Sequence, residues 1–288
     1  MGKLLIVADL EDNCFATPRG LQLAAKLGFS AEVVAFVYEP LKRLKLSEAR
    51  HDRVRRLLLS EREKSVQARI DKYRVEDQKV TLKVVWRKEI HSWITQRASK
   101  GFDGVVKTGH RSESAIYMST DWHLLRECPT PVMLVAEKKW HRTRSILAAV
   151  DLGTRNKQKQ ALNDKIITYA SGLARAFDAP LKIVCAIEIP TLLADMDLVD
   201  PGAYVKQQKE AMAPHLQALA DKHGLPQSAF HCKRGPVAKV IGSEAAKVRA
   251  QLLVMGTVGR RGVKARLLGN TAESVLRHLR TDILTLKP

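Results

Sequence analysis

The sequence lacks the features that would assign a function directly. No stretch reaches the roughly 20 apolar residues that a membrane-spanning helix needs, and Asp9 interrupts the first apolar run too early for a signal peptide. The patterns H-E-x-x-H, G-x-S-x-G and G-x-x-x-x-G-K-[ST] are absent, which gives no support to a zinc protease, a serine hydrolase or a Walker-type NTPase. We therefore expect a cytoplasmic protein without strong catalysis.

Cysteine and aromatic residues are both scarce. The four cysteines, Cys14, Cys128, Cys185 and Cys232, lie far apart in the sequence and show none of the paired spacings of zinc or dithiol sites. This pattern predicts buried or idle thiols. Aromatic residues make up 5% of the chain, and no aromatic-rich RNA-binding signature is present.

Acidic residues are too few to balance the basic ones, and the net charge is +19. There are 26 basic and 18 acidic residues up to Trp140, and 23 and 12 beyond it. Both halves are therefore basic, which favours anionic partners such as a nucleotide, a nucleic acid or a membrane surface. A solvated basic surface is the favoured explanation over a dedicated nucleic-acid site, because no motif supports nucleic-acid binding.

The sequence does contain an internal repeat. An apolar run that ends in Asp occupies residues 4–10 and recurs 142 residues later at 146–152. A closing apolar strand at residues 132–135 is likewise matched at 283–286. The repeat predicts two domains, 1–140 and 141–288, with the connection near residues 138–144.

Each copy alternates short apolar strands with helices. This order is typical of an α/β fold, and we expect two tandem open parallel-sheet domains of the Rossmann-like kind. Ligands of such sheets bind at the carboxyl ends of the strands, where the strand order reverses. Asp9, Asp151 and the loop after Val254 are therefore the places where a site is expected.

A glycine-rich loop follows the fourth strand of the second copy. Gly256 and Gly259 come directly after the strand, nine residues intervene, and Gly269 stands at the start of a predicted helix. Glycines allow backbone N–H groups to approach an anion closely, and a helix N-terminus adds unpaired donors and a favourable dipole. The loop thus predicts a phosphate site. Asn270 or Thr271 can cap the helix or contact the anion.

The pattern Gly256-x2-Gly259-x9-Gly269 resembles the ATP-binding signature of the universal stress proteins, and the fused repeat is similar to their tandem-domain E type. The resemblance implies a five-stranded parallel sheet in each domain, pairing of the two copies as a pseudo-dimer or of two chains as a homodimer, and binding of ATP with or without Mg²⁺. It also implies a stress-response or regulatory protein that at most hydrolyses ATP slowly.

The resemblance also implies which residues bind the nucleotide. Asp151 would lie at the adenosine end and Ala186 near the base, and Asn270 stands where the family prefers a hydroxyl. The implied nucleotide-binding residues are Asp151, Ala186, Gly256, Thr257, Gly259, Arg260, Gly269, Asn270 and Thr271.

The first copy departs from this pattern. Met118 stands in place of the last glycine, which would crowd a phosphate, so we interpret this copy as degenerate for nucleotide. His110 and His123 lie near the altered loop and are interpreted as bystanders rather than ligands. Asp121 and Trp122 are interpreted as a helix cap and its packing aromatic.

Two further stretches separate the early and late strands of the copies. Residues 44–73 predict a long basic helix, with Val54, Leu58, Val66, Ile70 and Tyr73 on one face. Residues 189–199 form an apolar loop that is interrupted by Pro and Asp. Because this loop could line a cavity, a carrier or sensor of an apolar, lipid-like ligand is the alternative function.

Overall fold

The computed structural model divides the chain into two compact units, Met1–Glu137 and Lys138–Pro288. The residues that it describes are 2–10, 14–43, 47–109, 120–136, 140–141, 144–189, 199–257, 270–279 and 281–288. The division lies three residues before the boundary expected from the repeat. The pairing of the two copies stays a prediction.

The first unit is a parallel sheet with the strand order β3-β2-β1-β4-β5. Its strands are β1 (Lys3–Ala8), β2 (Ser30–Val37), β3 (Val80–Trp86), β4 (Gly104–Thr108) and β5 (Val132–Val135). Its α-helices are α1 (Ala16–Leu27), α2 (Glu48–Tyr73), α3 (Ile90–Ala98) and α4 (Thr120–Glu127).

The second unit repeats this arrangement, with the parallel strand order β8-β7-β6-β9-β10. Its strands are β6 (Ile146–Ala149), β7 (Leu181–Ile187), β8 (Phe230–Arg234), β9 (Leu252–Gly256) and β10 (Asp282–Leu286). Its α-helices are α5 (Lys157–Ala176), α6 (Pro201–His223), α7 (Val237–Lys247) and α8 (Asn270–His278). The predicted fold class of two open parallel-sheet domains is confirmed.

Burial of the central strands explains why these sequences form parallel sheets. Leu5, Ile6, Leu253 and Val254 are fully buried, because helices cover both faces of each sheet. The strand order reverses beside the first strand of each unit, between β1 and β4 and between β6 and β9. This reversal of the strand order leaves a crevice at the carboxyl ends of those strands, and a ligand is expected in that crevice.

Each unit has a long helix after its second strand, and the sequence predicted only the first of these two helices. In the first unit, α2 buries Val66 and Ile70, but Tyr73 is 43% exposed, so its placement on the buried face was wrong. In the second unit, α6 was missed, although Asp200 caps its start and Pro201 occupies its first turn. The apolar stretch 190–198 lies outside the described residues.

Candidate functional site

A cavity of about 430 Å³ opens at the carboxyl ends of β6, β7 and β9. It lies at the strand-order reversal, and α5, α7 and α8 contribute to its walls. Three of the predicted site residues, Asp151, Ala186 and Gly256, line it together. The remaining lining residues are mostly apolar: Ala149, Val150, Lys159, Leu162, Asn163, Ile166, Val237, Ile241, Met255 and Ala272.

Asp151 is held by its backbone, which leaves the carboxylate available. Its N–H donates to Oδ1 of Asn163 at 3.0 Å, and Nδ2 of Asn163 donates to its carbonyl at 2.7 Å. The carboxylate is 56% exposed and lies 3.5 Å from Nζ of Lys159. Asn163 is buried in α5, and sequence reasoning missed this positioning role. The available signal was the spacing of Asn163 from Ile166 and Ala170, which places a polar residue on the apolar face of a helix.

Gly256 has a packing reason to be glycine. A Cβ at this position would lie 2.5 Å from Cδ2 and 3.1 Å from Cγ of Leu162, so α5 occupies the space that a side chain would need. Leu162 in turn lines the cavity. Gly256 therefore sets how closely α5 approaches β9, which shapes the cavity wall next to the expected phosphate loop.

The other residues predicted to bind the nucleotide are not among the described residues that line the cavity. Thr257 is buried beside β10, where its N–H donates to the carbonyl of Leu286 at 2.8 Å, and it does not line the cavity. Gly259, Arg260 and Gly269 lie outside the described residues. Asn270 and Thr271 form the first turn of α8 immediately before the cavity-lining Ala272, and their side chains lie outside the described part of the chain.

The first unit carries larger and charged side chains at the matching positions. The register of β1 with β4 pairs Val7 with Lys107, and that of β6 with β9 pairs Ala149 with Met255. Because Val7 and Ala149 are 142 residues apart in the repeat, Lys107 corresponds to Met255. The registers of β1 with β2 and of β6 with β7 likewise make Phe36 correspond to Ala186. Asp121 corresponds to Ala272 because the repeat matches residues 124–126 with residues 275–277.

These three side chains are buried at the corresponding place in the first unit. Nζ of Lys107 lies 2.8 Å from Oδ1 of Asp121 and donates to the carbonyl of Thr108 at 2.8 Å, with the side chains of Lys107 and Asp121 only 4% and 7% exposed. The ring of Phe36 meets that of Trp93 edge to face at 5.4 Å. Asp121 is thus the second residue of α4 rather than the residue that caps it, and it forms a buried ion pair with Lys107 of β4.

Arg62 of α2 contacts the backbone at the carboxyl end of β1 in the same unit. Its Nη1 donates to the carbonyl of Leu10 at 3.3 Å, and its Nη2 donates to those of Ala8 at 3.2 Å and Asp9. Burial lowers the pKa of the guanidinium below its ordinary value, with nearby Arg69 acting in the same direction. Asp9 is buried here, whereas its counterpart Asp151 is exposed.

Two cysteines that are distant in the sequence are neighbours in the second unit. Cys185 of β7 and Cys232 of β8 are directly opposed across parallel strands. The thiol of Cys185 donates a hydrogen bond that lowers the pKa of Cys232 to about 7, and the same interaction together with burial raises the pKa of Cys185. Cys14, Cys128 and Cys185 are buried, as expected, and Cys232 is half-buried. The sequence did not indicate that Cys185 and Cys232 face each other, because spacing along the chain does not reveal strand register.

Together the sheets and the cavity define a tandem α/β protein with a cavity at the carboxyl ends of the second unit's strands. Residues 142–287 match the model of the universal stress protein family. The chain belongs to that family, as the repeat and the glycine pattern predicted.

Similarity to tandem members extends over the whole chain. The chain is 30% identical to universal stress protein E of Escherichia coli K12 over 99% of its length and 93% of the relative. It is 28% identical to the universal stress protein E homolog of Haemophilus influenzae over 84% of its length and 81% of the relative.

Solved structures show the same fold. A putative universal stress protein from Pseudomonas aeruginosa has a TM-score of 0.70 at 24% identity, with 99% of this chain and 93% of that chain covered. A universal stress protein from Archaeoglobus fulgidus has a TM-score of 0.66 at 18% identity, with 99% and 98% covered. In the part of the chain that the structure describes, no helix is long and apolar enough to cross a membrane.

Proposed function

We propose that the second unit binds one ATP, or a related nucleotide, and that the first unit does not. The observation that carries this proposal is the contrast at one place in the fold: the second unit has a cavity where the first has Phe36, Lys107 and Asp121. The cavity volume of about 430 Å³ suits a small-molecule ligand. The net charge of +19 favours an anion.

The proposed site has two parts, an apolar wall for the base and a polar end for the ribose and the phosphates. Val237, Ile241 and Ala186 offer a surface for a base, and the exposed carboxylate of Asp151 is available to a ribose hydroxyl. The start of α8 adjoins the cavity through Ala272, so its backbone donors suit a phosphate. The motif residues Gly259, Arg260, Gly269, Asn270 and Thr271 would complete that end.

Binding rather than catalysis is the proposed role. Asp151 is the cavity's only lining carboxylate among the described residues, and Lys159 lies 3.5 Å from it. A positioned water and a general base would both be needed for rapid hydrolysis. We therefore propose a cytoplasmic stress-response or regulatory protein whose output depends on whether nucleotide is bound, with Mg²⁺ entering only with the nucleotide.

Calorimetry tests the proposal. Titration of the full chain with Mg-ATP is expected to give one site per chain, and Gly259→Asp is expected to abolish binding by placing a carboxylate beside the phosphates. Gly172→Asp is the matched control, because a Cβ on Gly172 would meet no atom within 4 Å. Two equal sites, or unchanged binding by Gly259→Asp, would contradict the proposal.

Native mass spectrometry separates the alternatives. Protein purified without added ligand is expected to carry a nucleotide mass, whereas a lipid mass would favour the apolar-ligand alternative, for which the largely apolar cavity wall is the motivation. The basic charge also predicts non-specific nucleic-acid binding that weakens steeply with salt. No binding at low salt would make the charge a solubility feature.

A further inference from the structure

Two cysteine side chains project from the same face of the second unit's sheet. Cys185 and Cys232 are paired in the register of β7 with β8, and side chains paired across parallel strands point to the same side. Neighbouring strands lie about 4.8 Å apart, and a disulfide needs Cα atoms that are about 4.4–6.8 Å apart. The backbone therefore already holds the two residues at a separation that suits a disulfide.

The two thiols differ in access and in acidity. Cys185 is 2% exposed, whereas Cys232 is half-buried, so a small oxidant reaches Cys232 first. The hydrogen bond from Cys185 lowers the pKa of Cys232 to about 7 against the opposing effect of burial, and the positive charges of Lys209 and Lys233 act in the same direction as the bond. Because the thiolate is the reactive form, Cys232 suits the attacking position and Cys185 the resolving position.

The strand that carries Cys232 has room to adjust. β8 stands at the end of the strand order β8-β7-β6-β9-β10. Because an edge strand is held to its sheet on one side, it can move towards β7 without breaking a second ladder. A disulfide brings its two sulfur atoms to about 2.05 Å, and rotation of the half-buried Cys232 side chain supplies part of that approach.

The first unit provides reference positions and reference thiols. Ala35 and Val84 occupy the strand positions that match Cys185 and Cys232, so the fold accommodates side chains without sulfur there. The cysteines of the first unit, Cys14 and Cys128, are 6% and 0% exposed. Burial should protect both of these thiols from an oxidant that reaches the half-buried Cys232.

We propose that Cys185 and Cys232 form a reversible oxidation site for hydrogen peroxide, which joins them in a disulfide between β7 and β8. The thiolate sulfur of Cys232 attacks one peroxide oxygen, the O–O bond breaks, Cys232 becomes a sulfenic acid, and the hydroxide that leaves takes up a proton. The sulfur of Cys185 then attacks that of Cys232, the S–O bond breaks, and the hydroxyl group leaves as water with the Cys185 proton.

Both thiols are thereby oxidised, and one peroxide is reduced to two molecules of water. A thiol reductant reverses the reaction by exchange at the disulfide. The proposal does not depend on nucleotide binding, because neither cysteine lines the cavity.

Treatment of the reduced full chain with hydrogen peroxide tests the site, followed by alkylation of the remaining thiols in denaturant and mass mapping of the peptides. We expect an intact mass that is lower by about 2 Da before alkylation, and one peptide pair joined through Cys185 and Cys232. Cys14 and Cys128 should be fully alkylated. Dithiothreitol should restore all four thiols.

Variants that carry the first unit's residues separate the two roles. Cys185→Ala should hold Cys232 as a sulfenic acid, which dimedone traps, because no resolving thiol is present. Cys232→Val should leave Cys185 reduced at the same peroxide concentration. Cys128→Ala is the matched control, since it removes a thiol of the first unit and should form the disulfide at the rate of the wild type. Circular dichroism of each reduced variant checks the fold.

The wild-type chain decides the proposal even if a variant folds poorly. The proposal is overturned if millimolar peroxide leaves both thiols free, or if Cys232 stops at a sulfenic or sulfinic acid while Cys185 stays reduced. Disulfides that join two chains, or that involve Cys14 or Cys128 instead, would overturn it as well.

Discussion

The two repeats share a strand order but differ in what occupies the crevice at its reversal point. In the second unit, small or apolar residues such as Ala186, Met255 and Ala272 surround an open cavity. In the first unit, the matching residues are Phe36, Lys107 and Asp121, and the last two form a buried ion pair. The comparison teaches that one strand order accommodates small or apolar residues around a cavity in one copy and a buried ion pair at the matching place in the other.

The most severe test of the comparison is removal of one member of the buried ion pair. Asp121→Ala should cost about 3–5 kcal/mol of unfolding free energy, because it leaves the ammonium of Lys107 buried without its carboxylate. The double variant Lys107→Met/Asp121→Ala, which carries the second unit's residues, should recover most of that loss. Urea unfolding followed by tryptophan fluorescence reports it, since Trp86, Trp93 and Trp122 lie in the first unit.

An equal loss of stability in the single and double variants would mean that Asp121 acts through something other than its pairing with Lys107. The buried ion pair would then not explain the difference between the two crevices.

A second charged cluster distinguishes the units by its pH dependence. Burial opposes ionisation of Glu32, but bonds from Arg97 at 2.6 and 2.7 Å and from Lys3 at 2.9 Å outweigh it and hold the pKa below its ordinary value. A lowered folded-state pKa contributes stability above the ordinary carboxyl pKa, and this contribution disappears as the pH falls through the folded value. Glu32→Gln should therefore cost about 1.5–3 kcal/mol at neutral pH.

At about pH 3 the difference between the wild type and Glu32→Gln should be much smaller, and unfolding curves at both pH values measure it. Lys182 occupies the matching strand position in the second unit and is the control, since Lys182→Gln should change stability little at either pH. A cost that does not vary with pH would show that Glu32 matters through its shape alone.

The cavity of the second unit can be narrowed by introducing a residue that the first unit carries at the matching position. Ala186→Phe places the residue type of position 36 in the cavity wall and should weaken nucleotide binding by at least about tenfold, or about 1.4 kcal/mol. Ala161→Phe, on the exposed face of α5, is the control for adding an aromatic ring. Calorimetry compares the two variants, and tight binding by Ala186→Phe would show that the nucleotide lies elsewhere.

The smallest expected effect concerns the opposed thiols, which the first unit replaces by Ala35 and Val84. Cys232 should react with iodoacetamide at a rate that is half-maximal near pH 7, because its pKa is lowered to about 7 by the hydrogen bond from Cys185. In Cys185→Ala the midpoint should rise towards about 8.5. Mass mapping of the labelled peptides measures both, and an unchanged midpoint would exclude the hydrogen bond as the cause.

Much of the fold could be predicted because it follows from the order of apolar strands and helices along the chain. Short apolar strands alternating with helices specify a parallel sheet covered on both faces, and residues 4–10 and 146–152 revealed the repeat. The helix α6 was missed because its interior carries few buried apolar residues, chiefly Met212 and Leu219, although its capping residues were visible. Asp151 and Gly256 were expected at the crevice because strand ends meet there, whereas Ala186 was expected there only from the family resemblance; all three line the cavity.

The sequence alone determined the family, through the glycine pattern and the repeat. It also determined the two-unit organisation and the edge of each sheet at which a ligand is expected, since these follow from the order of strands and helices. Only the tertiary structure decided that Lys107 meets Asp121, that Cys185 opposes Cys232 and that His91 stacks on His123. Each pair joins residues from different elements. Their distance is set by strand register and helix packing, which are long-range consequences of burial and leave no pattern in the local sequence.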